Sequence, residues 1–168
     1  MEDKLNKDLQ NAPINVLSVN NVLAPERVTF IENSTKENAL KHLADLLNTD
    51  RRVKDKHKLI SAIFKREDLM STGIGLGIGV PHVRINSVED IVMAIGICRP
   101  AIMDYESLDD EPICIICMIA AHSDQHAKHI KLLSAVSKLL KNSEIREKIL
   151  NAVSEQEVYN IFIGNNHV

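Results

Sequence analysis

Apolar residues along the chain follow two rhythms. One repeats about every 3.6 positions and marks amphipathic helices; the other consists of short unbroken runs and marks buried strands. Val28–Ile31 (VTFI) is a β-branched and aromatic run, which predicts a strand. In NSTKENALKHLADLLN, Ser34 with Glu37 three residues on has the form of a capping box. Leu40, Leu43, Ala44 and Leu47 then recur at helical spacing. KDKHKLISAIFKRED carries Leu59, Ile60, Ile63 and Phe64 on one face and predicts a second helix ending near Asp68. DIVMAIGIC (90–98) and EPICIICMIAA (111–121) are apolar runs bounded by turn signals or charge, the pattern of strands covered on both faces. The charged RPAIMDYESLDD between them reads as a connection. From Asp124 the helical period returns. QHAKHIKLLSAVSKLLK aligns His129, Leu132, Leu133, Val136 and Leu140 in one stripe. SEIREKIL opens on a serine start signal, and SEQEVYNIF opens on Ser154 and Glu157, a second capping box. Helices, then strands, then helices predict an α/β fold, with a mixed single-layer sheet carrying helices on both faces.

Composition narrows the class. The 168 residues suit one domain with its own core. With no Trp and 3% aromatics, that core must be built from Leu, Ile, Val and Ala. Residues 1–20 lack a sustained apolar period and read as a polar, partly disordered lead-in to a domain over 21–168. A net charge of −3 argues against a nucleic-acid binder. No apolar run reaches membrane-spanning length, and the start MEDKLNKDLQ is not a secretory signal. Cys98, Cys114 and Cys117 are odd in number and sit in apolar runs, which fits a reduced, cytoplasmic protein. On a strand, Cys114 and Cys117 would point to opposite faces, so their C-x-x-C reads as core.

Both rhythms break at STGIGLGIGVPHVR (71–84), where Gly73, Gly75, Gly77 and Gly79 take alternate positions. No Lys-Ser/Thr pair closes this run as a P-loop requires. The dinucleotide pattern G-x-G-x-x-G also fails, meeting Ile78 from Gly73 and Val80 from Gly75. What remains is alternation of the glycines with Ile74, Leu76, Ile78 and Val80, a strand with one apolar and one bare face. A bare face suits close approach by a partner or packing against another backbone, and spacing leaves both open. Pro81 removes a ladder donor and is expected to end the strand, leaving His82 at its end.

An imidazole with a pKa near ~6.5 is largely neutral at pH 7 and is able to attack phosphorus. The phosphoryl oxygens would then need donors, and Arg66, Arg84, Ser71, Thr72 and the N–H groups of the glycine run are candidates. HSDQHAKH adds His122, His126 and His129. These lack a further ligand at metal-binding spacing, so neither a metal nor a cofactor is expected. His122 and His126 read as solvated. His129 shares the stripe of Leu132 and Val136 and is expected to face the sheet, where a buried ring needs a partner.

KREDLMSTGIGLGIGVPHVR resembles the active-site signature of enzyme IIA domains of the fructose–mannitol class in the phosphoenolpyruvate-dependent sugar phosphotransferase system. That superfamily includes the nitrogen-regulatory phosphotransferase proteins. The pattern is an Arg-Glu pair, then Ser/Thr-x-Gly-Ile-Gly-x-Gly-Ile-Ala-hydrophobic-Pro-His. Arg66, Glu67 and the run from Ser71 to His82 match it without a gap, with Gly79 where alanine is usual. SLDDEPICIICMIAA and HIKLLSAVSKLL extend the resemblance over about residues 22–163. The resemblance implies a mixed sheet flanked by helices and a phosphotransferase. In it, His82 Nε2 accepts a phosphoryl group from the phosphocarrier protein HPr and passes it to an enzyme IIB cysteine. Arg66 would stabilise the phosphoryl charge, His129 would be the second histidine beside the first, and Ser71 and Thr72 would lie near the phosphoryl group. It leaves open a stand-alone regulatory protein whose phospho-state controls its partners.

Overall fold

In the computed structural model, which describes residues 19–164, the chain opens with the short helix α1 (Val19–Val22) and a 3-10 turn (Pro25–Arg27). Of the lead-in expected over residues 1–20, residues 1–18 lie outside the described residues, and residues 19 and 20 belong to α1. β1 (Val28–Glu32), α2 (Lys36–Leu47) and α3 (Lys56–Leu69) follow. Next come the short strands β2 (Gly73–Gly75), β3 (Ile78–Gly79) and β4 (His82–Arg84), then the long β5 (Val92–Ile102) and β6 (Ile113–Ala121). α4 (His126–Lys141), α5 (Ser143–Leu150) and α6 (Glu155–Gly164) complete the described chain.

β5 and β6 pair antiparallel at the centre of one mixed sheet, ordered β1-β5-β6-β3-β2. β1 joins β5 in parallel. β3 and β4 both join β6 in parallel, one after the other along the same edge, with Ile78 opposite Ile115 and His82 opposite Ile119. β6 is an unbroken apolar run because helices cover both of its faces. Ile115, Cys117 and Ile119, with Met93, Ile95 and Ile97, pack against Leu132, Val136 and Leu140 of α4 and Val158 and Phe162 of α6. Ile116, Met118 and Ala120, with Val92 and Ala94, pack against Leu40, Leu43 and Leu47 of α2 and Leu59 and Ile63 of α3. The expected α/β architecture is therefore present. Among the described residues no helix is long and apolar enough to cross a membrane.

Three boundaries differ from the sequence expectation. The N-cap of α2 is Thr35, whose hydroxyl accepts from Asn38 N at 3.3 Å, while the Ser34 hydroxyl donates to the Thr35 carbonyl. Glu37 is then one residue too early for a capping box, and it pairs with Lys41 instead. α5 is capped by Asn142, which accepts from Glu144 N and Ile145 N, and not by Ser143. β5 runs on to Ile102, through residues that read as a charged connection. Arg99 is accommodated there because its guanidinium lies 4.2 Å from the Phe30 ring centroid and donates to the carbonyls of Leu150 and Ala152. A second arginine, Arg27, is buried. It donates to the carbonyls of Met93 and Val22 and pairs with Asp50 at 2.9 Å, tying α1 and the 3-10 turn to β5.

Candidate active site

The glycine run is a hairpin and not the single strand its alternation suggests. β2 and β3 pair antiparallel through Gly73 and Gly79, and positive φ at Gly75 (95°), Leu76 (59°) and Gly77 (73°) turns the chain between them. Ile74 and Leu76 are exposed while Ile78 and Val80 are buried, so the apolar residues no longer share one face. The bare positions admit other parts of this same chain. A Cβ on Gly73 would collide with the Glu106 carbonyl oxygen, one on Gly77 would lie 2.7 Å from Cys114 Sγ, and one on Gly79 would lie 3.1 Å from the Tyr105 ring. Of the two options left open by the spacing, internal packing is the one realised. Gly73→Ala is expected to cost about 1–3 kcal/mol, because backbone must move to admit the methyl group. Urea unfolding measures this, and an unchanged midpoint would mean that the 105–108 segment gives way freely.

Pro81 interrupts the edge strand, and His82 opens β4 immediately after it; the expectation of a strand end is thus corrected to a strand start. Pairing of His82 with Ile119 and of Val83 with Ala120 puts His82 on the sheet face that α4 covers. The imidazole is half-buried, and its Nδ1 lies 2.7 Å from the Val80 carbonyl oxygen. A carbonyl only accepts, so Nδ1 carries the proton and donates it, and the lone pair sits on Nε2. Burial, with the nearby Arg66 guanidinium adding to it, holds the His82 pKa below the ordinary histidine value. The ring is neutral at pH 7.

α4 brings His129 to it. His129 lies on the inner stripe with Leu132, Val136 and Leu140, as the spacing predicts, and is only 5% exposed. Its ring centroid is 5.2 Å from that of His82, with the planes tilted by 54°. Its pKa is pushed down to about 4, first by burial and then by His82, Arg84 and His126. His129 Nε2 is buried with no hydrogen-bond partner among the described residues. A polar atom left in that state costs stability unless a ligand supplies the missing bond.

The other expected residues are arranged less simply. Arg66 lies in the last turn of α3, half-buried, with Nη1 donating to the Met70 carbonyl at 2.9 Å. Arg84 shares the His82 side of β4 and donates to the Ser123 carbonyl at 3.3 Å. The Ser71 hydroxyl is committed to the Glu106 carbonyl at 2.6 Å. Thr72 departs from the expectation of a phosphoryl donor. It is 3% exposed, its hydroxyl donates to Glu67 Oε2 at 2.7 Å, and it accepts from the Tyr105 hydroxyl at 2.6 Å. Sequence reasoning gave Glu67 and Tyr105 no role. A signal existed for Glu67, which continues the inward stripe of Leu59 and Ile63 at a spacing of four, an unusual place for a lone acid. His126 is exposed, and His122 pairs with Asp124 at 2.6 Å. Cys117 is a core residue whose thiol burial pushes up to about 12. Among the described residues, no three His, Cys, Asp or Glu side chains gather where a metal ion could be held.

Residues 21–164 match the family described as "Phosphoenolpyruvate-dependent sugar phosphotransferase system, EIIA 2". Over 131 residues the chain is 37% identical to the fructose-specific EIIABC component of Bacillus subtilis, a match that takes in 78% of this chain and 20% of that protein. Over 128 residues it is 34% identical to the fructose-specific EIIA component of Haloferax volcanii, taking in 76% of this chain and 82% of that protein. The crystal structure of the nitrogen regulatory protein IIA-Ntr from Neisseria meningitidis shares the fold, with a TM-score of 0.79 at 24% identity over 86% of this chain and 98% of that one. The match runs from α1 to the end of α6 and includes the paired histidines, and so the chain belongs to the EIIA type 2 family of the phosphoenolpyruvate-dependent sugar phosphotransferase system.

Proposed function

We propose that this chain is a phosphoryl carrier in which His82 Nε2 takes a phosphoryl group from phosphorylated HPr and hands it to an enzyme IIB cysteine. The observation that carries this reading is the Nδ1–H bond to the Val80 carbonyl, which leaves a neutral imidazole with its lone pair on Nε2. That lone pair attacks phosphorus as the bond from phosphorus to the donor's imidazole nitrogen breaks, and the bonding pair leaves on the donor ring. The proton stays on His82 Nδ1 throughout, donated to the Val80 carbonyl. In the second transfer a cysteine thiolate attacks the same phosphorus, and the pair returns to Nε2. Such transfers depend mainly on positioning and on balancing the phosphoryl charge. Arg66 supplies positive charge beside His82, and His129, whose ring centroid is 5.2 Å from that of His82, supplies an unpartnered polar atom at Nε2. Leu69, Met70, Ile74, Leu76 and Leu108 are exposed on adjoining segments around the hairpin, a surface better suited to a protein partner than to a small solute.

The test is incubation with phosphorylated HPr, followed by intact-mass measurement and then by addition of candidate IIB domains. The expected result is a gain of one acid-labile phosphoryl group that IIB removes. No gain, under conditions in which HPr charges a known IIA, would overturn the proposal. The regulatory reading shares every step up to phospho-His82. It would be favoured by a phosphorylated form that no IIB discharges and that changes the set of proteins the chain retains.

A further inference from the structure

We infer that Glu67 is a positioning residue for His82, acting through Thr72 and Val80 to fix the ring that carries the reacting nitrogen. The geometry stands without the phosphocarrier reading, but its catalytic consequence rests on it. Glu67 is 7% exposed, yet every side of its carboxylate is engaged. Oε1 accepts from Thr72 N at 3.0 Å and from Lys36 Nζ at 2.9 Å, and Oε2 accepts from the Thr72 hydroxyl at 2.7 Å. Thr72 is therefore held by both its backbone and its side chain. The Thr72 carbonyl accepts from Val80 N at 2.9 Å, and the Val80 carbonyl accepts from His82 Nδ1 at 2.7 Å. Glu67, Thr72 and Val80 are all buried, so this relay runs through packed residues as far as the His82 ring. Glu67 is anchored to α3 and Lys36 to α2, and the Tyr105 ring that donates to Thr72 fills the space left by Gly79. Losing the carboxylate frees Thr72 and with it the carbonyl that selects the Nδ1–H tautomer.

The chemistry requires a carboxylate here and not merely a polar side chain. All three of its partners, an amide N–H, a hydroxyl and an ammonium, are donors. A glutamine would turn a donor toward one of them and leave the Lys36 charge unmatched. The carboxylate also counters Arg66 at His82, since one favours the charged ring and the other opposes it.

The experiment compares wild type, Glu67→Gln and Thr72→Val by imidazole nitrogen–proton correlation spectra of the full chain and by the rate of phosphoryl acceptance from phosphorylated HPr. Wild type is expected to show a single Nδ1–H tautomer at His82. Glu67→Gln is expected to show a mixture and a rate lower by up to about a hundredfold, the scale on which misplacement of a reacting group acts. Thr72→Val removes only the hydroxyl half of the clamp and is expected to fall between them; it decides the matter where Glu67→Gln does not fold. Variants that retain the single tautomer and the wild-type rate, even with lowered stability, would show that Glu67 is a structural clasp and overturn the inference. A wild type that takes no phosphoryl group would sink the phosphocarrier reading instead, while the tautomer comparison would still decide the role of Glu67.

Discussion

Alanine at His82 is expected to reduce phosphoryl acceptance from HPr to background, with the fold retained. The change deletes the histidine whose Nδ1–H bond to the Val80 carbonyl presents Nε2 as the reacting nitrogen. His122 Nδ1 is taken up by the Asp124 carboxylate, whose negative charge opposes a phosphoryl group, and His126 is exposed on the first turn of α4. His129 is the nearest alternative, 5.2 Å away between ring centroids. It is 5% exposed, and its proton affinity, pushed down to a pKa of about 4, makes it a weak nucleophile. The structural cost of the substitution is about 1–3 kcal/mol, because the carbonyl of the buried Val80 loses its donor, and this is within what a domain tolerates. Intact-mass measurement after incubation with charged HPr reads the activity, and circular dichroism confirms the fold. Undiminished labelling of the alanine variant would remove His82 from the role and direct attention to His129.

The paired histidines were legible in the sequence for different reasons. His129 could be read inward because helical period alone places it with Leu132 and Val136, and a helix covering a sheet has one inner stripe. His82 stood out only through the glycines and Pro81 before it. There the period-two reading misled, because alternation of glycine with apolar residues is as compatible with a tight hairpin as with a strand. What decides is which segment fills the gaps, and that is the distant stretch from Tyr105 to Cys114. The same limit hid the Thr72 network. Its partners come from α2, α3 and the loop after β5, and no local window holds all of them. Arg99 shows the converse. Its charge signalled a loop, whereas carbonyls presented at the end of α5 allow a guanidinium inside a strand.

Between pH 6.5 and about 4 the fold is expected to lose stability on account of His129. In that interval the unfolded chain binds a proton at this ring and the folded chain does not. Unfolding is therefore proton-coupled, and stability falls as pH falls. A drop from 6.5 to about 4 corresponds to about 3 kcal/mol when the window has been crossed. That is a large part of the ~5–15 kcal/mol typical of a domain. His82, also held below its ordinary value, adds to the loss with the same sign. The network carboxylate Asp50 acts in a separate window, since Arg52 holds its pKa down to about 2 and its contribution disappears only as pH falls below 3.8. Urea midpoints across the range should therefore decline more steeply in wild type than in His129→Gln, which has no proton to bind there. Parallel declines would assign the loss to other groups. Burial of two imidazoles in contact thus lowers acid stability, and the same burial keeps both rings neutral near pH 7, where Nε2 of His82 must hold a lone pair to receive a phosphoryl group.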